Sequence, residues 1–214
     1  MLRKKTTQTI PETERRVSGI EKLRPASIIP VSETRPLLLG REAKSRSSGA
    51  WNVRCLSELE EDISPLTPSI ISALREEIKS GSSPMTRVYL TQAIAYHARN
   101  RYDTEPFIPV LSACVDDANL HVRLNAITAI TDHAKSGGDI SLLIDKLVPK
   151  LEDMSQLIQE ISLAALKTHA ASGPMAAHQV LLALGGGDER LNDSVQERRA
   201  DLRTHCEEVL RNKV

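Results

Sequence analysis

Four histidines stand 36 residues apart: His97, His133, His169 and His205. Imidazoles at a fixed spacing are the side chains one expects in a metal site or a proton relay. Two carboxylate pairs, Asp116/Asp117 and Glu152/Asp153, share the same 36-residue offset. Paired acids could do general acid–base work. Geometry argues against both chemistries. Equivalent positions in stacked repeats are separated by about one helix-packing distance, ~8–10 Å, whereas a zinc ion needs its ligands within ~2 Å. Four such histidines form a ladder rather than a cage. The acid pairs fall at turns instead of inside an apolar stretch. No GxSxG is present, and no phosphate-cradling GxxxxGK[ST]. "GGGDE" at Gly185–Glu189 lacks the lysine and hydroxyl of a phosphate loop. The three cysteines, Cys55, Cys114 and Cys206, are odd in number and without paired spacing. They read as reduced thiols. We therefore assign no catalytic, cofactor-binding or metal-binding residue, and expect no enzyme.

The histidines recur because their surroundings recur. "AIAYHA" (93–98), "AITDHA" (129–134), "ALKTHA" (165–170) and a degraded "DLRTHC" (201–206) carry them. A stride of this size marks a repeat protein. In each unit a short first helix precedes a longer second one. "EPFIPVLSACVDD" and "NLHVRLNAITAITDHAKSGG" form one pair, "DISLLIDKLVPKLED" and "SQLIQEISLAALKTHAASG" the next. The two pairs align without a gap, Leu111 on Leu147, Asp117 on Asp153 and Ala129 on Ala165. Proline after Ser83 and Gly173 starts a helix where the missing N–H costs nothing. Asp139 and Ser155 are expected N-caps, and Gly137 and Gly173 expected stops. Val122, Ala126, Ala129, Ile130 and Ala134 fall at helical spacing on one apolar face. Each histidine then lies in the last turn of a second helix, where it can meet the terminal carbonyls and the negative end of the helix dipole.

These units resemble the HEAT-repeat family. Pro109 within the first helix, Asp117 in the turn, Val122-Arg123 at the second helix and the packing residues Ala126 and Ala129 carry the likeness. Pro149, Asp153 and Ala165 repeat it, while Gln159 replaces the arginine. The resemblance covers roughly 65–212. It implies an all-α, α-α superhelix, a HEAT-like solenoid of about four helical hairpins, with second helices on the concave side.

Charge divides the chain. Residues 1–50 hold 11 Lys/Arg against 5 Asp/Glu, a net +6, and residues 51–214 hold 17 against 23, a net −6. Residues 1–50 show no sustained period, four prolines and many Ser and Thr, which suggests a disordered basic tail ahead of a repeat domain over 51–214. The tail's apolar clusters, "SIIPV" and "PLLLG", are too short to build a core and read either as docking motifs or as remnants that bind nothing. Ser27-Ile28-Ile29-Pro30 resembles the Ser-x-Ile-Pro motif of microtubule plus-end tracking proteins, which implies an end-binding protein as partner, with Ile29 and Pro30 filling an apolar pocket. TOG-type tubulin-binding domains are HEAT arrays as well, but they present Trp and Lys/Arg on their intra-repeat loops, and the loops here are acidic or neutral. "RRVS" and "RPAS" place Ser18 and Ser27 as phosphorylation candidates.

No apolar run approaches the ~20 residues of a membrane span, and the amino terminus lacks the apolar core of a secretory signal. The expectation is a cytoplasmic protein-binding scaffold, a cytoskeletal adaptor recruited through Ser27, Ile28, Ile29 and Pro30. The alternative is a general adaptor that grips a basic or helical peptide through Asp116, Asp117, Glu152 and Asp153. Neutral overall charge argues against nucleic acid as a partner.

Overall fold

The computed structural model describes residues 28–185 and 193–212. Among them ten α-helices run in sequence: α1 (Val31–Leu38), α2 (Ala43–Glu58), α3 (Thr67–Ser80), α4 (Pro84–Arg99), α5 (Ile108–Cys114), α6 (Leu120–Lys135), α7 (Ile144–Leu147), α8 (Gln156–Ala171), α9 (Pro174–Leu184) and α10 (Asp193–Arg211). They pair into successive hairpins, a first helix followed by a second. The second helices α2, α4, α6, α8 and α10 pack one on the next, and the first helices form the other layer. The solenoid expected from the repeat is the architecture observed.

The 36-residue stride holds through the centre: α4, α6 and α8 start at 84, 120 and 156 and end at 99, 135 and 171. Small residues make this possible. Ala93, Ala129 and Ala165 occupy one repeated position and are fully buried, so neighbouring second helices can approach closely. Ser83 caps α4 by accepting from Thr86 N at 3.2 Å, and Asn119 caps α6 from His121 N at 2.9 Å. Ser155 precedes α8 without a side-chain cap. Asp153 Oδ1 instead accepts the Ser155 N–H at 3.0 Å.

The amino-terminal region differs from expectation. The boundary expected at Ala50 falls inside α2, and α1 lies within the stretch read as disordered tail. Each apolar cluster of this stretch sends a residue into the core, Ile28 from the first and Leu38 from the second, while Leu39 stays exposed. Gly49 explains how an eight-residue helix with Pro36 inside it can be held. A Cβ there would lie 2.8 Å from Leu38 N and 2.9 Å from Leu37 Cβ, so α1 sits directly on the backbone of α2. Thus α1 and α2 form an additional hairpin at the start of the array.

Candidate binding face

The histidines do not meet. His97, His133 and His169 are buried, and each ring has its own partner. His97 stacks on Tyr102, with ring centroids 4.9 Å apart, and its Nε2 lies 3.1 Å from Asp103 O. Burial pushes its pKa below the usual histidine value, against a smaller opposing pull from the Asp103 carbonyl. His133 Nε2 sits 3.1 Å from Glu105 Oε2, but no hydrogen bond forms there. His169 Nε2 faces Gln179 Oε1 at 3.4 Å, and His205 Nε2 faces Lys167 O at 3.2 Å. His97, His133 and His169 sit in the last turn of α4, α6 and α8 as expected, while His205 lies six residues before the end of α10. Their partners correct the expectation, because they lie on the following loop or a neighbouring helix and not among the helix's own terminal carbonyls. Among the described residues no group of three or more His, Cys, Asp or Glu is arranged to hold a metal ion.

The carboxylates tie units together. Arg87 on α4 reaches Asp117 in the next unit's turn through Nε at 2.7 Å and Nη2 at 3.2 Å. One stride later Arg123 on α6 reaches Asp153 at 3.2 Å. Arg46 on α2 holds the fully buried Glu77 at 2.7 Å. Where Gln159 replaces the arginine, it donates to Asp153 O at 2.6 Å, as Arg123 donates to Asp117 O at 2.9 Å. The pair chemistry is spent inside the array, so Asp117 and Asp153 are not free to meet a partner. Asp116 is more open but is paired with Lys150 at 2.7 Å and Lys146 at 3.5 Å. Burial raises its pKa, yet the bond and charge of Lys150, with Lys146, outweigh this and hold it below the usual carboxylate value. Glu152 pairs with Arg199 at 3.1 Å.

The proposed tail motif is likewise engaged. Asn52 clamps Ile29 by both backbone groups, accepting from Ile29 N at 2.9 Å and donating to Ile29 O at 3.0 Å. Pro30 O accepts the Thr34 hydroxyl at 2.9 Å at the start of α1. Ser18 and Ser27 lie outside the described residues. The thiols are buried, and burial pushes Cys114 up to about 12 and Cys206 to about 11.

Sequence reasoning did not find the second-helix face as a surface with room to bind. Two cavities open on it. One, of about 670 Å³, lies between α2 and α4 and is walled by Trp51, Tyr89, Ile29, Leu37, Lys44 and Ser47. The other, of about 810 Å³, crosses the carboxy-terminal halves of α4 and α6 to α8. Arg99, Arg101, Thr128, Asp132, Lys135 and Ile161 line it. Periodicity alone carried a signal of this face. The position occupied by Gln92 recurs as Thr128 and Ala164, and Trp51 takes the corresponding place on α2. None of these four is fully buried.

Two solved structures share the fold. A designed armadillo repeat protein in complex with the peptide (KR)4 aligns with a TM-score of 0.58 at 18% identity, over 82% of this chain and 81% of that one. Computationally designed armadillo repeat proteins for modular peptide recognition align with the same TM-score at 19% identity, over 82% and 81% of the two chains. At these identities the likeness is one of fold. No protein-family model matches the chain, and comparison with curated proteins gives no match. Among the described residues no helix is long and apolar enough to cross a membrane.

Proposed function

We propose that the chain is a non-enzymatic scaffold that binds a peptide segment across its second-helix face. The contrast between repeated and varied positions carries this reading. The buried position repeats as Ala93, Ala129 and Ala165. The neighbouring outward position runs Trp51, Gln92, Thr128, Ala164, and another runs Tyr89, Asn125, Ile161. A repeated core with a varied face gives each unit its own contact, which is how a solenoid reads a partner residue by residue. The fold neighbours, one solved with a peptide and one designed for peptide recognition, support the same reading. Plus-end docking through Ser27–Pro30 does not enter it, since Ile28 is buried and Ile29 is clamped by Asn52.

Peptide-array binding tests the proposal. Ala164→Trp and Thr128→Trp fill the larger cavity without changing charge. Peptides selected by the wild-type chain should bind these variants about tenfold more weakly, a loss of about 1.4 kcal/mol. Equal binding to wild type and both variants would place the binding surface elsewhere.

A further inference from the structure

We infer that the peptide taken by this face is acidic and carries one bulky apolar side chain about six residues from its acidic cluster. The inference rests on the peptide-scaffold reading above and adds the chemistry of the occupant. In the smaller cavity the apolar wall is Trp51, Tyr89, Ile29 and Leu37, which suits an aromatic or branched aliphatic side chain. Its charged lining group is Lys44, and no carboxylate lines it. The larger cavity holds three cations, Arg99, Arg101 and Lys135, against the single carboxylate of Asp132. That carboxylate is already engaged, 3.0 Å from Lys135 and 4.0 Å from Arg99. Among the described residues no carboxylate pairs with Lys44 or Arg101.

The two cavities therefore present net positive charge on a body whose sequence is net negative. The acidic residues that produce the overall sign lie elsewhere, as Asp117 and Asp153 do in the inter-unit pairs. A peptide able to cover both cavities must meet aromatic surface at one end and guanidinium groups at the other. Arg99 lies ten residues beyond Tyr89 on α4, about 15 Å along the helix. With a similar offset across the packed helices the cavities are roughly 20 Å apart, or about six residues of extended chain. The forked guanidinium groups of Arg99 and Arg101 can take carboxylates in bidentate fashion. A basic peptide would meet like charge here. So would residues 1–27 of the chain itself, which carry seven Lys/Arg against three Asp/Glu. Nucleic acid is the poorer fit among anions: four cations split between two cavities do not track a continuous phosphate backbone.

Trp51 is the only tryptophan of the chain, so its fluorescence reports on the smaller cavity directly. The full chain is titrated with an octapeptide bearing one Leu and a Glu-Asp cluster six residues on, with its Lys-Arg counterpart and with oligo-dT. Labelled probes supply an anisotropy readout that does not depend on Trp51. The acidic peptide should bind and shift the Trp51 emission. Raising salt from 0.05 to 0.5 M should weaken it about tenfold. Lys44→Glu and Arg101→Gln, both at exposed side chains, should each weaken it several-fold with the melting temperature unchanged. Preference for the Lys-Arg peptide would overturn the inferred polarity and leave the scaffold reading standing. Stronger binding of oligo-dT that is lost in Arg101→Gln would overturn it in favour of nucleic acid. If neither peptide binds while array-selected peptides do, the inferred chemistry fails alone. If the array selects none, the scaffold reading fails with it.

Discussion

The central units and the amino-terminal hairpin solve the same packing problem by different means. In the centre, identical spacing places identical small residues at the helix interface, Ala93, Ala129 and Ala165, and identical pairs across it, Arg87–Asp117 and Arg123–Asp153. In the α1–α2 hairpin the stride is broken. Arg46 takes the role of Arg87 41 residues earlier, and its partner is Glu77 on a first helix, not an aspartate in a turn. Close approach comes from Gly49 against the α1 backbone. Among the described residues this hairpin packs on one neighbouring unit, α3–α4, and a single such contact does not impose the register that two neighbours would. The comparison teaches that periodicity identifies the units that keep the stride and is silent about a unit that departs from it.

The largest effect expected separates the two regions. Ala129→Glu would bury an unpaired charge between second helices with no room to relax. It should cost about 4 kcal/mol or more and abolish cooperative unfolding, seen in thermal melts by circular dichroism. A near-normal melt would show that the central register is not as described. Next are the inter-unit pairs. Arg87 and Asp117 are almost fully shielded, with side chains 10% and 9% exposed. Asp117→Ala should cost about 3 kcal/mol, because it strands a buried guanidinium. Lys167–Asp201, 32% and 52% exposed, should give less than about 1 kcal/mol when Lys167 is replaced by Ala. Similar losses in chemical denaturation would erase the distinction between ladder and surface pairs.

A smaller and more local effect is expected at Gly49. Its replacement by Ala forces Leu37 and Leu38 away and should cost about 1–3 kcal/mol. Proteolysis should then begin in α1 and spare the centre. The smallest effect is pH dependence at His97. Its folded-state pKa is lowered, so the unfolded chain binds the proton more readily. Stability is therefore full above the unfolded value near ~6.5 and falls as pH drops toward the folded value. The melting temperature should decline between pH 7.5 and pH 5.5, and His97→Asn should flatten that decline. A rise in melting temperature over the same interval would contradict the burial of a neutral ring.

Much of this was legible in the sequence wherever a physical requirement repeats. The histidine stride, the Ala positions and the Arg123/Asp153 residues report one helix pair stacked several times. What escaped notice is non-periodic. Pro30, Pro36 and the surrounding serines read as tail because their local preferences oppose helix. Long-range contacts reveal that the segment is held: the clamp from Asn52 to Ile29, 23 residues away, and the seat of α1 on Gly49. Residues Asp117 and Asp153 read as surface acids because their partners lie 30 residues earlier on another unit. The cavity of Trp51 and Tyr89 needs two helices from different hairpins, and no spacing rule connects them.

The amino-terminal hairpin as an integral unit is the claim on which the extent of the array and the aromatic end of the binding face rest, since α2 supplies Trp51 and Lys44. Native-state hydrogen exchange of the α2 amides from Val53 to Ser57, set beside those of α6 from Ile127 to Thr131, tests it most directly. Both stretches are largely buried and should be protected by the folded array to a similar degree. Exchange of the α2 amides at the rate of an unstructured peptide, with α6 still protected, would show that the array starts later and that the aromatic cavity does not exist.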